Sequence, residues 1–282
     1  MKLAHLILAH AQPEQLDRLI GALQHPDADF YLHIDRKTDL APFQMLTQRP
    51  NVYLVKNREK VSWGAYSIVQ ATLNGFEQIV ASGKPYTYVN LLSGQDYPLK
   101  APDFIHAYLE KHAGTEFMEY LSVEDEWQEA IPRVKKYHLV DYSFPGKFAV
   151  EKWLNRIMPD RKPPENLTFM GRSQWFTITR EAVKYILLYL EKHPKVTRFF
   201  KLSWGCDELV FQTLLYNSPF RPAMTNDNLR YIDWSEKKAS PKTLTMSDET
   251  ALRQSGKLFA RKFNPTIDAE IMDRLDTRFL TV

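Results

Sequence analysis

Two apolar runs, LAHLILA at residues 3–9 and DFYLHID at 29–35, bracket a segment whose pattern is helical. That segment, PEQLDRLIGAL, opens at Pro13 and spaces Leu16, Leu19, Ile20 and Leu23 along one helical face. A strand, a helix and a strand inside the first 35 residues make a βαβ unit. Parallel strands need such a crossover, so the unit commits the chain to a parallel sheet with helices on its faces. Ligands of such sheets bind at the carboxyl ends of the strands, where Asp35 falls. No Gly-rich loop follows the first strand, which argues against a dinucleotide fold of the usual kind.

The pattern continues. NVYLV (51–55) reads as a third strand, and a helix from about Ser67 to Ala81 carries Ile68, Val69, Leu73, Phe76, Ile79 and Val80 on its buried side. YTYVNLL is a fourth strand that runs into Ser93-Gly94-Gln95-Asp96-Tyr97-Pro98, and Pro102 opens another helix. EFMEYL and SQWFTIT (173–179) read as strands, followed by the periodic helix REAVKYILLYLEKH. LRYIDW (229–234) is a late strand, and a helix near Asp248–Ser255 precedes LFARKF. Residues 143–170, with Pro145, Pro159, Pro163 and Pro164, read as a loop or insertion around one short helix. With no internal repeat, residues 1–282 are expected to form a single domain of mixed α/β class.

The one cysteine, Cys206, excludes an intrachain disulfide and suits a reducing compartment. The N-terminal apolar run imitates a secretory signal, but it is very short and contains His5, so it reads as a buried strand. No run reaches the length of a membrane span. The chain is therefore expected in the cytoplasm, with room for peripheral contact at the inner face of the membrane. The net charge is only +3. Between Arg230 and Lys262, however, eight basic residues (Arg230, Lys237, Lys238, Lys242, Arg253, Lys257, Arg261, Lys262) stand against four acidic ones (Asp233, Glu236, Asp248, Glu249). A solvated surface is the bland explanation and an anion site such as a diphosphate is the sharp one. Nucleic acid is not the expected partner, because no recognised binding motif accompanies these cations.

The stretch WGCDELVFQT (204–213) sets Asp207 and Glu208 at the head of an apolar run. Asp207 is expected to be the N-cap of a helix, with Glu208 in its first turn, near the positive end of the helix dipole. An ionised carboxylate at the mouth of a site is what takes a proton from a sugar hydroxyl. A plain cap followed by a solvated Glu is the alternative. Asp96, in a Gly-Pro loop, could likewise be making no more than an Asx turn.

Taken together, YLHIDRKT (31–38), VSWGAYSIVQATLNGF (61–76), YVNLLSGQDYPLK (88–100), GRSQWFTITREAVKYIL (171–187), DELVFQTLLYNSPF (207–220), LRYIDW and LFARKF resemble, in order, the core-2/I-branching β-1,6-N-acetylglucosaminyltransferase family. This family, of which the chain resembles a bacterial member, includes the peptide O-xylosyltransferases. The resemblance implies a GT-A type fold with a mostly parallel central sheet flanked by helices, a UDP-sugar donor, inversion at the anomeric carbon and independence from a metal ion. It implies Glu208 as catalytic base and Lys262, helped by Arg261, as the group that neutralises the diphosphate. For the family's upstream arginine this sequence offers Arg230, with Lys237, Lys238 and Lys242 as alternatives. Asp35, Trp63, Gly64 and Asp96 are implied on the nucleotide side.

On the acceptor side Lys136 and His138 lie where animal members hold the acceptor, though His138 stands where a Glu is expected. Asp207 is placed there too. Trp175 and Trp234 are candidates to stack on a sugar, with core packing as the alternative. The expected activity is transfer of N-acetylglucosamine from its UDP donor to a hydroxyl of a glycan or glycolipid, in polysaccharide biosynthesis, with no cofactor beyond the donor. Xylose is the next donor. A catalytically inactive carbohydrate-binding protein of the same fold, and a metal-dependent transferase using Asp96, are the competing readings.

Overall fold

A computed structural model of the chain describes residues 1–278. Its strands are β1 (Lys2–Ala9), β2 (Ala28–Ile34), β3 (Val52–Leu54), β4 (Tyr86–Ser93), β5 (Asp96–Pro98), β6 (Glu116–Ser122), β7 (Met170–Thr179), β8 (Met224–Asn226), β9 (Arg230–Ile232) and β10 (Phe259–Arg261). The helices are α1 (Pro13–Ala22), α2 (Ala41–Gln44), α3 (Tyr66–Ala81), α4 (Pro102–Lys111), α5 (Ile131–Lys135), α6 (Lys147–Ile157), α7 (Arg180–Lys192), α8 (Pro194–Lys201), α9 (Val210–Tyr216), α10 (Glu249–Gln254) and α11 (Glu270–Arg278).

The main sheet has the order β3-β2-β1-β4-β7-β6-β8. β1 pairs in parallel with both β2 and β4, in registers such as Leu8 with His33 and Leu8 with Ser93. β7 alone runs the other way, antiparallel to β4 and to β6, while β8 is parallel to β6. The class is α/β with a mostly parallel sheet flanked by helices, as the sequence predicts.

Alternation along each central strand sends side chains to opposite faces, and both faces are covered. Ala4, Leu6, Val89 and Leu91 join one apolar cluster, with Val69, Leu73, Phe76 and Ile79 of α3, Val183 and Ile186 of α7, and Phe211 and Leu214 of α9. Leu3, Ile7, Tyr88 and Leu92 join the other, with Leu16, Leu19 and Ile20 of α1 and Ile271, Met272 and Leu275 of α11. Phe76, Phe176 and Phe211 meet with centroid distances of 5.2–6.3 Å, each pair contributing about 0.5–1.5 kcal/mol beyond its buried area. That contact pins α9, and so the residues just before it, against β7.

A second sheet, β5-β10-β9, folds the C-terminal chain back over the end of β4. β10 runs antiparallel to β5 and parallel to β9, with Arg261 opposite Asp96 and Ile232. LRYIDW and LFARKF therefore belong to this small sheet and not to the central one. Residues 143–170 hold α6, none of whose side chains is buried, before β7 begins at Met170.

Candidate active site

A cavity of about 1200 Å³ opens at the carboxyl ends of β1, β2, β4 and β6, where a parallel sheet of this kind binds its ligands. It exceeds the usual range of a small-molecule pocket, roughly 300–1,000 Å³. Residues of β9, β10 and the 235–241 segment form another part of its wall.

Glu208 stands on this wall. Gly205 takes a left-handed conformation (φ 62°), and its N–H donates to the Gly64 carbonyl at 2.7 Å. Cys206–Glu208 then form a single 3-10 turn, and α9 begins only at Val210. The expectation that Asp207 caps the helix is therefore wrong. Leu209, at φ −124°, separates the turn from the helix, so Asp207 accepts no capping hydrogen bond and Glu208 is outside the first turn. What holds Glu208 instead is Arg133 of α5, whose Nη1 donates to Glu208 Oε2 at 2.6 Å. The Arg133 guanidinium lies between two indoles, 4.7 Å from the Trp127 ring and 4.5 Å from the Trp204 ring. A Cβ on residue 205 would come within 2.8 Å of Arg133 Nη1, so glycine there also makes room for this arginine. Asp207 is almost fully buried with Oδ1 unpartnered; desolvation, and then the neighbouring Glu208 charge, push its carboxyl up to about 7.

Basic side chains come from the C-terminal third. Of the eight cations between Arg230 and Lys262, six line the cavity: Arg230, Lys237, Lys238, Lys257, Arg261 and Lys262. Lys262 Nζ donates to Ser240 Oγ in the wall. Arg261 lies over the Trp175 ring at 4.2 Å, with Nε 3.4 Å from Asp96 Oδ1. Lys257 is paired with Asp227 at 2.8 Å, also in the wall. Lys242, by contrast, is turned to Asp248 at 2.6 Å.

Four predicted site residues lie behind or away from the cavity wall. Asp96 is fully buried: Oδ2 accepts from Ser93 N at 3.0 Å and Oδ1 faces Arg261, so its carboxylate organises the β4–β5 turn. Burial raises the Asp96 pKa and lowers that of Arg261. Gly64 is buried beneath Trp204 and supports the Gly205 turn through its carbonyl. Lys136 is ion-paired with Asp160, and His138 Nε2 donates to the Pro132 carbonyl at 3.0 Å, both outside the cavity.

Arg230 is a fifth correction. It touches the wall, but its guanidinium donates to the carbonyls of Leu91, Phe176 and Asn228 and to Asn90 and Thr177, which leaves its terminal nitrogens committed to the fold. Asp35, Trp63, Trp175 and Trp234 do line the cavity. Asp35 Oδ1 accepts from Lys37 N at 2.9 Å, and Trp63 is widely exposed with its ring edge-on to Trp204 at 5.7 Å.

Sequence reading missed the partner of Glu208, since nothing local marks Arg133 out from its basic neighbours Lys135 and Lys136. It also missed the facing pair of Arg172 and Glu119, 3.9 Å apart in the wall. Among the described residues no group of three or more His, Cys, Asp or Glu side chains is arranged to hold a metal ion. Among those residues, too, no helix is long and apolar enough to cross a membrane.

Comparison with known proteins places this geometry in context. A family model described as Core-2/I-Branching enzyme matches residues 3–254. Xylosyltransferase 1 of Rattus norvegicus is 25% identical over 98% of this chain and 35% of its own length. A xylosyltransferase of Ciona intestinalis is 24% identical over 98% of this chain and 34% of its own. The chain thus spans about a third of the length of these relatives. Among solved structures, the apo form of mouse xyloside xylosyltransferase 1 aligns with 92% of this chain and 97% of its own, at 11% identity and a TM-score of 0.33. The match over residues 3–254 makes the chain a member of the Core-2/I-Branching enzyme family, a family of glycosyltransferases.

Proposed function

We propose that the protein is an inverting glycosyltransferase that moves a sugar from a UDP donor to a hydroxyl of a glycan or glycolipid, with Glu208 as general base. The observation that carries the reading is that the Arg133-held carboxylate of Glu208 and the cations Arg261 and Lys262 line one and the same cavity. The acceptor oxygen attacks the anomeric carbon while its proton passes to Glu208. The bond from that carbon to the diphosphate oxygen breaks, and the electron pair leaves with UDP. Charge growing on the diphosphate is met by Lys262, with Lys237 and Lys238 on the adjoining segment, so that the reaction runs without a metal ion. Arg261 supports that wall from below, since its guanidinium is already engaged by Asp96 and Trp175. Asp35 and Trp63, beside β2 and the 61–64 turn, fall to the nucleotide; Trp234, 47% exposed, offers a face to a sugar, whereas Trp175 is buried in the core beneath Arg261.

N-acetylglucosamine is the first donor for this reading. Xylose is the second, favoured by relatives named xylosyltransferase that match along 98% of this chain. Thermal stabilisation by a panel of UDP-sugars, each with and without chelator, tests both. A ligand of the native state must raise Tm, and the sugar that adds most beyond UDP names the donor. No shift with any UDP compound would sink the transferase; a shift abolished by chelator would sink the metal-free mechanism.

A further inference from the structure

Helix α6 is turned inside out. Two of its polar side chains face the protein: Asn155 accepts from Tyr137 N and donates to Tyr137 O, both at 2.8 Å, and Glu151 accepts from Leu139 N at 2.8 Å. Its apolar stripe, Val150, Trp153 and Ile157 at i, i+3 and i+7, points to solvent, with Trp153 59% and Ile157 53% exposed. Phe148, 78% exposed, extends the apolar surface, and Phe144 and Met158 lie exposed at the two ends. Lys152 and Arg156, at i and i+4, flank the stripe, and Lys162 follows shortly after the helix; all three are exposed. A soluble surface helix normally buries its apolar stripe and exposes its polar residues.

We propose that α6 docks on the surface of an anionic lipid bilayer, its Trp153–Ile157–Val150 stripe entering the headgroup boundary while Lys152, Arg156 and Lys162 meet lipid phosphates. Aromatic and aliphatic side chains beside lysine and arginine on a short helix are the composition of an interfacial helix. The neighbouring acids are engaged elsewhere, Asp160 with Lys136 and Glu151 beside His138, which leaves these three cations facing solvent. A second copy of the chain is a poor occupant, because a twofold contact sets the same patch against itself and brings like charges together. The helix is tied by hydrogen bonds to residues 137–139, directly after α5, which carries Arg133. Docking there would hold the site close to a membrane-borne acceptor, but the inference stands without the catalytic reading.

The full chain is floated with vesicles of phosphatidylcholine alone and of phosphatidylcholine with phosphatidylglycerol. Binding is expected only to the anionic vesicles. It should weaken roughly fivefold for each of Lys152→Gln and Arg156→Gln, and fade with added salt. Trp153→Ser with Ile157→Ser should abolish it while Tm stays at the parent value, because neither side chain is buried. Equal binding to both vesicles, none to either, or binding indifferent to Trp153→Ser with Ile157→Ser would overturn the proposal. So would concentration-dependent self-association that the same pair of substitutions removes.

Discussion

Gly171→Ala tests whether the placement of Glu208 sets the rate. A Cβ on residue 171 would lie 2.2 Å from the carbonyl oxygen of Glu208, 2.7 Å from Leu209 Cδ2 and 3.1 Å from Leu209 Cα. Comfortable contact starts near ~3.5 Å, so the Cys206–Glu208 turn and β7 must separate by about 1 Å. Two of the three obstacles are backbone, and no rotamer change relieves them. Overpacking of this kind costs about 1–3 kcal/mol. For a chain of this size, each kcal/mol lowers Tm by roughly 2–4 °C. A base displaced by that distance costs about 100-fold in rate. The assay is steady-state transfer, read as kcat and donor KM, beside Tm and the stabilisation given by UDP. The expected result is a lower Tm and a collapsed kcat with UDP stabilisation retained. A lower Tm with unchanged kcat would refute the link between the turn and the chemistry, and an unchanged Tm would refute the packing argument itself.

Three further outcomes follow from the same geometry. Glu208→Gln keeps the shape and removes the base, so kcat should fall by about 10²–10⁴ while UDP-sugar affinity holds; parallel loss of both would deny it that role. Arg133→Met should lower kcat by roughly 10–100-fold through the lost charge-assisted bond, with donor KM unchanged and partial recovery in Arg133→Lys; a pure KM effect would make Arg133 a binding residue. Lys262→Ala should weaken UDP stabilisation and transfer together, with chelator leaving the parent enzyme untouched; transfer that needs added divalent metal would contradict this.

Asp207 sets a pH dependence. Its folded pKa, about 7, lies above the ordinary 3.8, so the native state holds the proton more tightly and gains stability at low pH. That contribution is lost as pH rises from about 3.8 to about 7. Melting curves of the parent and Asp207→Asn should therefore diverge across that window, the parent losing ground; parallel curves would show that the carboxyl titrates normally.

The fold was legible because it is written in local patterns. Leu16, Leu19 and Ile20 announce α1, the apolar runs at 3–9 and 29–35 announce β1 and β2, and burial on both faces demands the runs be continuous. Boundaries of α3 and α10 fall within a residue or two of the expected ones. The small sheet was legible only in part: LRYIDW reads as a strand and holds β9, but the strands on the rest of the sheet do not show. β5 and β10 have three residues each, too few for a period to show, and they pair across more than 160 positions of sequence.

The site divides along a similar line, and the residues that misled explain why. Sequence marks charge but not solvation. Arg230 and Asp96 have the residue types of a phosphate and ribose site, yet both are buried, where desolvation makes an uncompensated charge expensive and forces it to find partners inside the protein. Arg230 found backbone carbonyls and Asn90, and Asp96 found Ser93 and Arg261. Glu208 and Lys262 keep part of their surface open to the cavity, and each has one polar partner, Arg133 and Ser240. A ligand can exchange with one partner far more readily than with five. In this chain, then, the candidate chemistry belongs to the charges the fold left incompletely satisfied, and the partner that orients Glu208 comes from 75 positions away, out of reach of any motif.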